Sequence, residues 1–573
     1  MKFKNTLYNL FLVLIMVAFA SCKDLTELNV SPNAVDPTTV NPNFEVPTVI
    51  TATALPYLDF NYEGGMAGVM SYIQKSGWGT DLNNFSGDWI AGRTWGGYYG
   101  NLRNIYHLYD RSKAEKMEFH QGVALVLKAF NFGFITDAWG DAPYSAAVNA
   151  GAGGQGDLFP VFDSQEDIYK GIIADLKVAN TLLSKPVESY SQISNSADVL
   201  YGGSPSKWRK MANSLLLRYY MRISTKSPVI AKAGIEEIIS NSATFPIFTA
   251  NEDDATMGYI GSTSSDSWPA NTAQDQSHSN FDRMQLCAGF RDVLVDLKDP
   301  RIAVWFNKVN LRVKISNQFA PVGETITGGV TGGVRYLTPA YAAAKKYVVY
   351  NKSTWSADVD AGKTLIDTME YVGMPLAYLA GEPYTYNLNP NPVQGGSNAS
   401  VSALADIYKS ANGSLLKARL ISYAEVCFII AEAAQKGYSV GTQQSWYEKG
   451  VQASLNTWGV GGNYAAYIAN TGVAYDGSLK QIMVQKWIAN WTVAFESWCD
   501  WRRTGLPALS FGTHGIRNAM PIRFKYDPSE ININGVNAQV AIGKLVETAF
   551  TAQDGKDSSW SKMWLLQGSN IPY

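Results

Sequence analysis

Apolar residues recur every three to four positions over most of the chain, the spacing of helices that bury one face. From His120 to Ile135 the residues Val123, Val126, Leu127, Phe130 and Phe134 leave almost no polar side, which predicts a helix buried all round. Asp163 and Glu166 read as a capping box opening a helix through Ile168, Ile172, Leu176, Ala179 and Leu183. Ser204-Pro205 reads as an N-cap with proline in the first turn, before Trp208, Met211, Leu215 and Tyr219 at helical spacing. Trp95, Tyr98 and Tyr99 precede Leu102, Ile105 and Tyr106 on a similar stripe and are expected in the core. Ser422 to Gln435 and Ser445 to Trp458 predict two amphipathic helices joined by a short Gly-containing link, the elementary unit of a tetratricopeptide-like repeat. Trp487, Trp491, Phe495 and Trp498 predict one last long helix, ending at Arg502 and Arg503 before Gly505 and Pro507.

Between these helices the periodicity lapses. Residues 64 to 94 and 246 to 414 are dense in Gly, Ser, Asn, Asp and aromatics, and long irregular insertions on a rigid scaffold are where binding function sits. The stretch KKYVVYN, Lys345 to Asn351, predicts small β-hairpins there. At the N-terminus, Lys2 and Lys4 precede an apolar run from Leu10 to Ala20, too short to span a bilayer and patterned as a secretory signal. Ala20 and Ser21 before Cys22 are similar to the lipobox of bacterial lipoproteins, with Phe19 where leucine is usual, so Cys22 is the expected lipid anchor. More than one acyl chain is needed for stable anchoring. The expected organisation is a signal peptide over 1–21, a lipidated Asn- and Pro-rich tether over 22–45, and a single domain over 46–573.

A net charge of −2 with 17% charged residues excludes a basic nucleic-acid binder and an acidic disordered tail. Beyond Cys22 only Cys287, Cys427 and Cys499 remain, with no CxxC spacing, which argues against a disulfide framework. Cys427 and Cys499 fall in apolar helical patterns and read as small buried hydrophobes.

Catalytic signatures fail one by one. GAGGQG, Gly151 to Gly156, matches GxGxxG but lacks a preceding strand and a following helix, so it reads as a loop. Gly362-Lys363-Thr364 has the tail of a phosphate loop, yet Ala357 stands where its first glycine belongs. The histidines, His107, His120, His278 and His514, show no metal-ligand spacing, no GxSxG elbow occurs, and neither metal nor cofactor is expected. Glu496 and Asp500 share a helix face beside Arg502 and Arg503, which suits a structural ion network better than a glycosidase pair flanking a scissile bond.

FITDAWGDAPYSAA (Phe134 to Ala147), FPVFDSQEDIYKGIIADLKVA (Phe159 to Ala179), SPSKWRKMANSLLLRYYMRIS, LISYAEVCFIIAEAA, QKWIANWTVAFESWCDWRRTGLP and MPIRFKYDPSEININ together resemble the SusD/RagB family of outer-membrane nutrient-binding lipoproteins. The resemblance covers nearly the whole chain. It implies an all-α body of tetratricopeptide-like helix pairs, with a large loop-rich ligand-binding insertion and minor β-hairpins. It also implies a lipid-anchored protein on the outer face of the outer membrane, capping a SusC-like TonB-dependent transporter and capturing oligosaccharides or peptides without cleaving them. The family motifs read as scaffold: Trp139 packs at a helix end, while Asp137, Asp141 and Tyr144 hydrogen-bond the turn.

Sugars pair flat C–H faces with hydroxyls, so a site wants exposed aromatic rings beside Asn, Asp, Gln or Arg. SGWGTDLNNFSGDW offers Trp78, Asp81, Asn83, Asn84 and Trp89; SSDSWPANTAQDQ offers Asp266, Trp268, Asn271 and Gln274; Tyr384 and Tyr386 are weaker candidates. Oligosaccharide capture is the leading expectation. Its alternatives are oligopeptide capture, which needs less aromatic stacking, a surface glycoside hydrolase, which needs a carboxylate pair across a cleft, and a structural repeat adaptor.

Overall fold

The computed structural model describes residues 37–62, 65–75, 88–275, 277–318, 330–376, 378, 383–393, 396–509, 517, 519–569 and 571–573. Helices α1 (Pro42–Tyr62), α2 (Asp88–Ala114), α3 (Glu118–Trp139), α4 (Gln165–Leu182), α5 (Pro205–Arg222) and α6 (Pro228–Ser240) precede the insertion. Helices α7 (Tyr423–Gln435), α8 (Gln443–Thr457), α9 (Leu479–Ala489) and α10 (Ala494–Thr504) follow it. Successive helices pack on one another, α2 on α3, α3 on α4, α4 on α5 and α7 on α8, giving the expected all-α body of tetratricopeptide-like pairs. Small residues permit the close crossings: a Cβ on Gly133 of α3 would overlap the Tyr219 phenol of α5, and one on Gly450 of α8 would press into the Phe428 ring of α7.

Local capping chemistry sets where helices begin. Ser204 Oγ accepts the Lys207 N–H and Ser422 Oγ that of Glu425, each satisfying a first-turn donor as expected. For α4 the cap is Ser164, which accepts from Asp167 N, one residue beyond the predicted box. Asp163 is occupied elsewhere, accepting the Tyr144 and Ser145 N–H groups. The first helix starts at Pro42, inside the stretch read as tether, and Asn43 holds it down by donating to the Gln192 carbonyl and accepting from Ser194 N.

The expected last long helix is two. Asn490 closes α9 and Val493 opens α10, so the aromatic stripe divides between two partners. Trp491 turns toward the insertion, against Phe290, Trp305 and Phe306, and its indole N–H donates to Tyr408 Oη. Phe495 and Trp498 stay in the scaffold on Phe134 and Phe524.

Charged side chains from distant segments meet inside this scaffold. Arg218 pairs with Glu425 at 2.7 Å and Glu496 at 3.4 Å, Arg222 with Glu496 and Asp137, and Tyr57 donates to Glu496. Asp500 pairs with Lys486 at 2.7 Å and Arg503 at 2.8 Å, and Arg503 also holds Glu432. Glu496 and Asp500 therefore serve a buried ion network, as expected. Burial opposes ionisation of Asp500, yet the Lys486 and Arg503 charges outweigh it and hold its carboxyl well below the usual range. Arg502 departs from that expectation: its guanidinium donates to the Asp137 and Ile522 carbonyls and lies over the Trp498 ring. In the Trp139 turn, Asp137 accepts from Tyr169, Asp141 from Gln165 N, and Tyr144 donates to Asp175, so these residues tie the turn to α4 instead of bonding the turn itself.

The insertion is clamped at its base by an antiparallel ladder between β2 (Ala255–Gly258) and β9 (Lys417–Ile421). Within it, β5 (Val330–Thr331) and β6 (Val334–Leu337) form one small hairpin around Gly332 and Gly333, whose positive φ values of 57° and 72° suit a tight two-residue turn, and β4 (Arg312–Ile315) pairs in parallel on the other edge of β6. The hairpin predicted at KKYVVYN is absent: β7 (Tyr347–Val349) pairs in parallel with β8 (Thr364–Ile366), and the helix Trp355–Asp360 makes the crossover that parallel strands need.

Candidate ligand-binding site

A pocket of about 300 Å³ in the insertion is lined by Thr272, His278, Phe281, Asp282, Asn307, Lys308, Asn310, Asn398 and Lys409, among others. Its walls come from three stretches far apart in sequence. Antiparallel bridging of Phe306 to Leu404 and of Gln285 to Ala403 draws them together, with Leu311 N donating to the Ala399 carbonyl. Asn307 sits at the end of the helix Ile302–Trp305, and its amide donates to Asp406 Oδ1 at 3.1 Å. Asn398 is anchored by a 2.9 Å bond to the Tyr386 carbonyl. Lys409 pairs with Asp406 and lies 5.2 Å from the Phe281 ring centre. Burial pushes the Asp282 carboxyl upward, against the pull of His278 and Lys409.

Amide, ammonium and imidazole donors thus face carboxylate and carbonyl acceptors around a space the size of a small ring. That chemistry suits a hydroxyl-bearing ligand. Among the described residues no group of His, Cys, Asp and Glu could hold a metal ion, and Cys287, Cys427 and Cys499 are free and buried.

The predicted site residues fare differently. Trp268 does not present its ring: it is fully buried, 5.8 Å from Tyr259 and 5.6 Å from Tyr408, and its backbone N–H donates to the Ala411 carbonyl. An indole is the one large apolar group in the stretch SSDSWPANTAQDQ available to pin that loop, and burial wins. Asp266 accepts the Ser262 and Thr263 N–H groups at 2.7 and 2.8 Å, which hold its carboxyl below the usual range and brace the same loop. Asn271 is buried and accepts from Gln274 N, so this loop offers Thr272 to the pocket in place of the residues expected. Tyr386 is buried as well and Tyr384 half-buried.

Cys22, Trp78, Asp81, Asn83 and Asn84 lie outside the described residues, and Trp89 belongs to the first turn of α2. The strand before that segment is informative: β1 (Ile73–Lys75) pairs antiparallel with β3 (Met284–Leu286), and Lys75 faces Met284. It delivers the chain to the pocket wall that holds Phe281 and Asp282. Sequence reasoning missed Asn307, Asn310, Asn398 and Lys409; the available signal was asparagine in NKVN and GSNAS, which ordinary turns share.

Comparison with known proteins places this geometry. A family model described as "Starch-binding associating with outer membrane", of the SusD-like type, matches residues 59–332 and 336–527. A chitin-binding SusD homolog from Flavobacterium johnsoniae superposes with a TM-score of 0.65 at 22% identity, covering 92% of this chain and 99% of its own. SusD homologs from Bacteroides fragilis (TM-score 0.65, 18% identity) and Bacteroides vulgatus (0.66, 19%) each cover 92% of this chain, and 100% and 98% of their own. At these identities the likeness establishes the fold alone. No curated protein matches the chain. Among the described residues no helix is long and apolar enough to cross a membrane. With the family model matched over most of the chain and the helical body shared, the chain belongs to the SusD-like family.

Proposed function

We propose that the protein is a non-enzymatic surface lipoprotein, anchored through Cys22, that captures oligosaccharides at the outer membrane and passes them to a SusC-like TonB-dependent transporter. The observation that carries the reading is the polar pocket on the insertion of a SusD-like body, since its Asn, Asp and Lys groups suit sugar hydroxyls. Trp78, Asp81 and Asn84 follow in sequence the strand that ends beside this pocket, and in this reading they add a second aromatic ring and further polar groups to its lining.

Calorimetry of the chain from residue 23 onward, against starch-derived and chitin-derived oligosaccharides and mixed peptides, tests this directly. Expected are heats with one sugar series, unchanged reducing ends after incubation, and a loss of about ten-fold or more in affinity in Trp78→Ala. Heats with peptides alone would replace oligosaccharide by peptide capture, and growth of reducing ends would make the protein a hydrolase. Cys22→Ser should release the expressed protein from membranes.

A further inference from the structure

The helices Pro528–Ile533 and Gly535–Gly543 carry an apolar face that the scaffold leaves open. Ile533, Val536 and Val540 are 67%, 84% and 58% exposed, and Leu158 and Phe159 alongside are 52% and 41% exposed. The two segments are fastened together, Asn534 donating to the Pro160 carbonyl at 2.8 Å and Asn537 to that of Phe159 at 2.9 Å. A contiguous cluster of exposed aliphatic side chains of this kind marks a place that another molecule covers.

Beside it lies a pocket of about 340 Å³ walled by Trp95, Tyr99 and Pro143, which shares Ile533 and Asn534 with the apolar face. Two half-buried carboxylates, Asp157 and Glu530, line that pocket. Among the described residues neither has a cation within 4.0 Å, and Glu530 accepts a bond from the Asn534 amide. Burial dominates the pK rise of the Tyr99 phenol, and Glu530 is the foremost charged contributor to it.

We propose that this face docks a partner-protein segment that inserts an arginine or lysine side chain into the pocket of Asp157 and Glu530 and lays apolar residues across Ile533 and Val536. A basic side chain combines an apolar stem, suited to the Trp95 and Tyr99 walls, with a cationic head for the carboxylates. Branched aliphatic residues at the rim suit protein side chains, whereas a sugar stacks on flat exposed rings. This inference is independent of what the polar pocket in the insertion binds.

Fluorescence anisotropy provides the test, using the chain from residue 23 onward and two labelled peptides, Gly-Leu-Val-Arg-Leu-Phe-Gly amide and its counterpart with Glu in place of Arg. The Arg peptide should bind about ten-fold or more tightly than the Glu peptide, weaken with salt, and resist displacement by maltohexaose. The double variant Asp157→Asn, Glu530→Gln should erase the preference. Among the described residues neither carboxylate is ion-paired, and the amide oxygen that Glu530→Gln introduces can still accept from Asn534, so the variant's thermal transition should match the parent's. Val536→Asp should weaken both peptides. Equal binding of the two peptides, a preference that survives the double variant, displacement by the sugar, or no binding at all would overturn the proposal.

Discussion

The scaffold and the insertion divide their polar groups differently: both bury ion pairs, Arg291 with Asp367 and Arg301 with Asp299 in the insertion, but the insertion also sets polar groups around a pocket. Inside the scaffold, Arg218, Arg222, Glu425, Glu496 and Asp500 are buried and spend their charges on one another. In the insertion, Asn307, Lys308 and Lys409 ring a pocket open to ligand and make their own contacts at its rim. The cores do not divide as cleanly: both regions share the main apolar cluster, and the scaffold keeps a smaller one around Tyr447, Val451 and Leu455. One continuous apolar cluster runs from Val46 to Leu566, while the insertion also keeps small separate clusters, one around Trp355, Leu365, Met374 and Tyr386 and another around Val313, Leu337 and Ile366. A protein that must present polar groups to a ligand needs a base that does not yield when they are engaged, and the two regions divide that work.

Four measurements break or sharpen this contrast. The largest effect belongs to the scaffold: Arg218→Ala leaves Glu425 and Glu496 buried without their principal cation and should cost about 3–5 kcal/mol in chemical denaturation. A loss under about 1 kcal/mol would show that the network is not structural. Next, Gly133→Val drives a side chain into Tyr219 at the α3–α5 crossing and should cost about 1–3 kcal/mol, read as a lower thermal midpoint.

The third measurement probes the seam between the regions, where Asp254, just before β2, accepts the Tyr423 N–H at the start of α7. Burial pushes its carboxyl up to about 7, more than the Tyr423 N–H and the Arg419 charge pull it down. The folded state therefore binds this proton more tightly than the unfolded chain. Its contribution to stability is complete below about pH 4 and is lost as pH rises through about 7, so Asp254→Asn should flatten the stability profile across that window. A profile unchanged by the substitution would contradict the assignment. The smallest effect on stability is expected in the pocket: Asn307→Ala should shift unfolding by less than about 0.5 kcal/mol while weakening a bound oligosaccharide by about 1 kcal/mol. A large stability loss there would erase the contrast.

What could be read from sequence follows from range. Ser204 and Ser422 act on donors three residues away, so their helices were legible locally. The break between α9 and α10 was not, because Trp487, Trp491, Phe495 and Trp498 keep helical spacing across it, and the turn is set by Tyr408 and Phe290 in the insertion. Trp268 misled for the same reason, since Tyr259 and Tyr408 decide its burial. The polar pocket needed bridges between residues about a hundred positions apart, such as Phe306 with Leu404, which no local pattern announces.

The charge network also bears on how the chain comes off the ribosome. Glu496 meets Tyr57, Arg218 and Arg222, so a nascent chain that has reached only its middle carries two arginines destined for the interior and no carboxylate from α10 to receive them. Of the carboxylates that hold these arginines only Asp137 precedes them, so the network closes once Glu425 and then Glu496 have emerged.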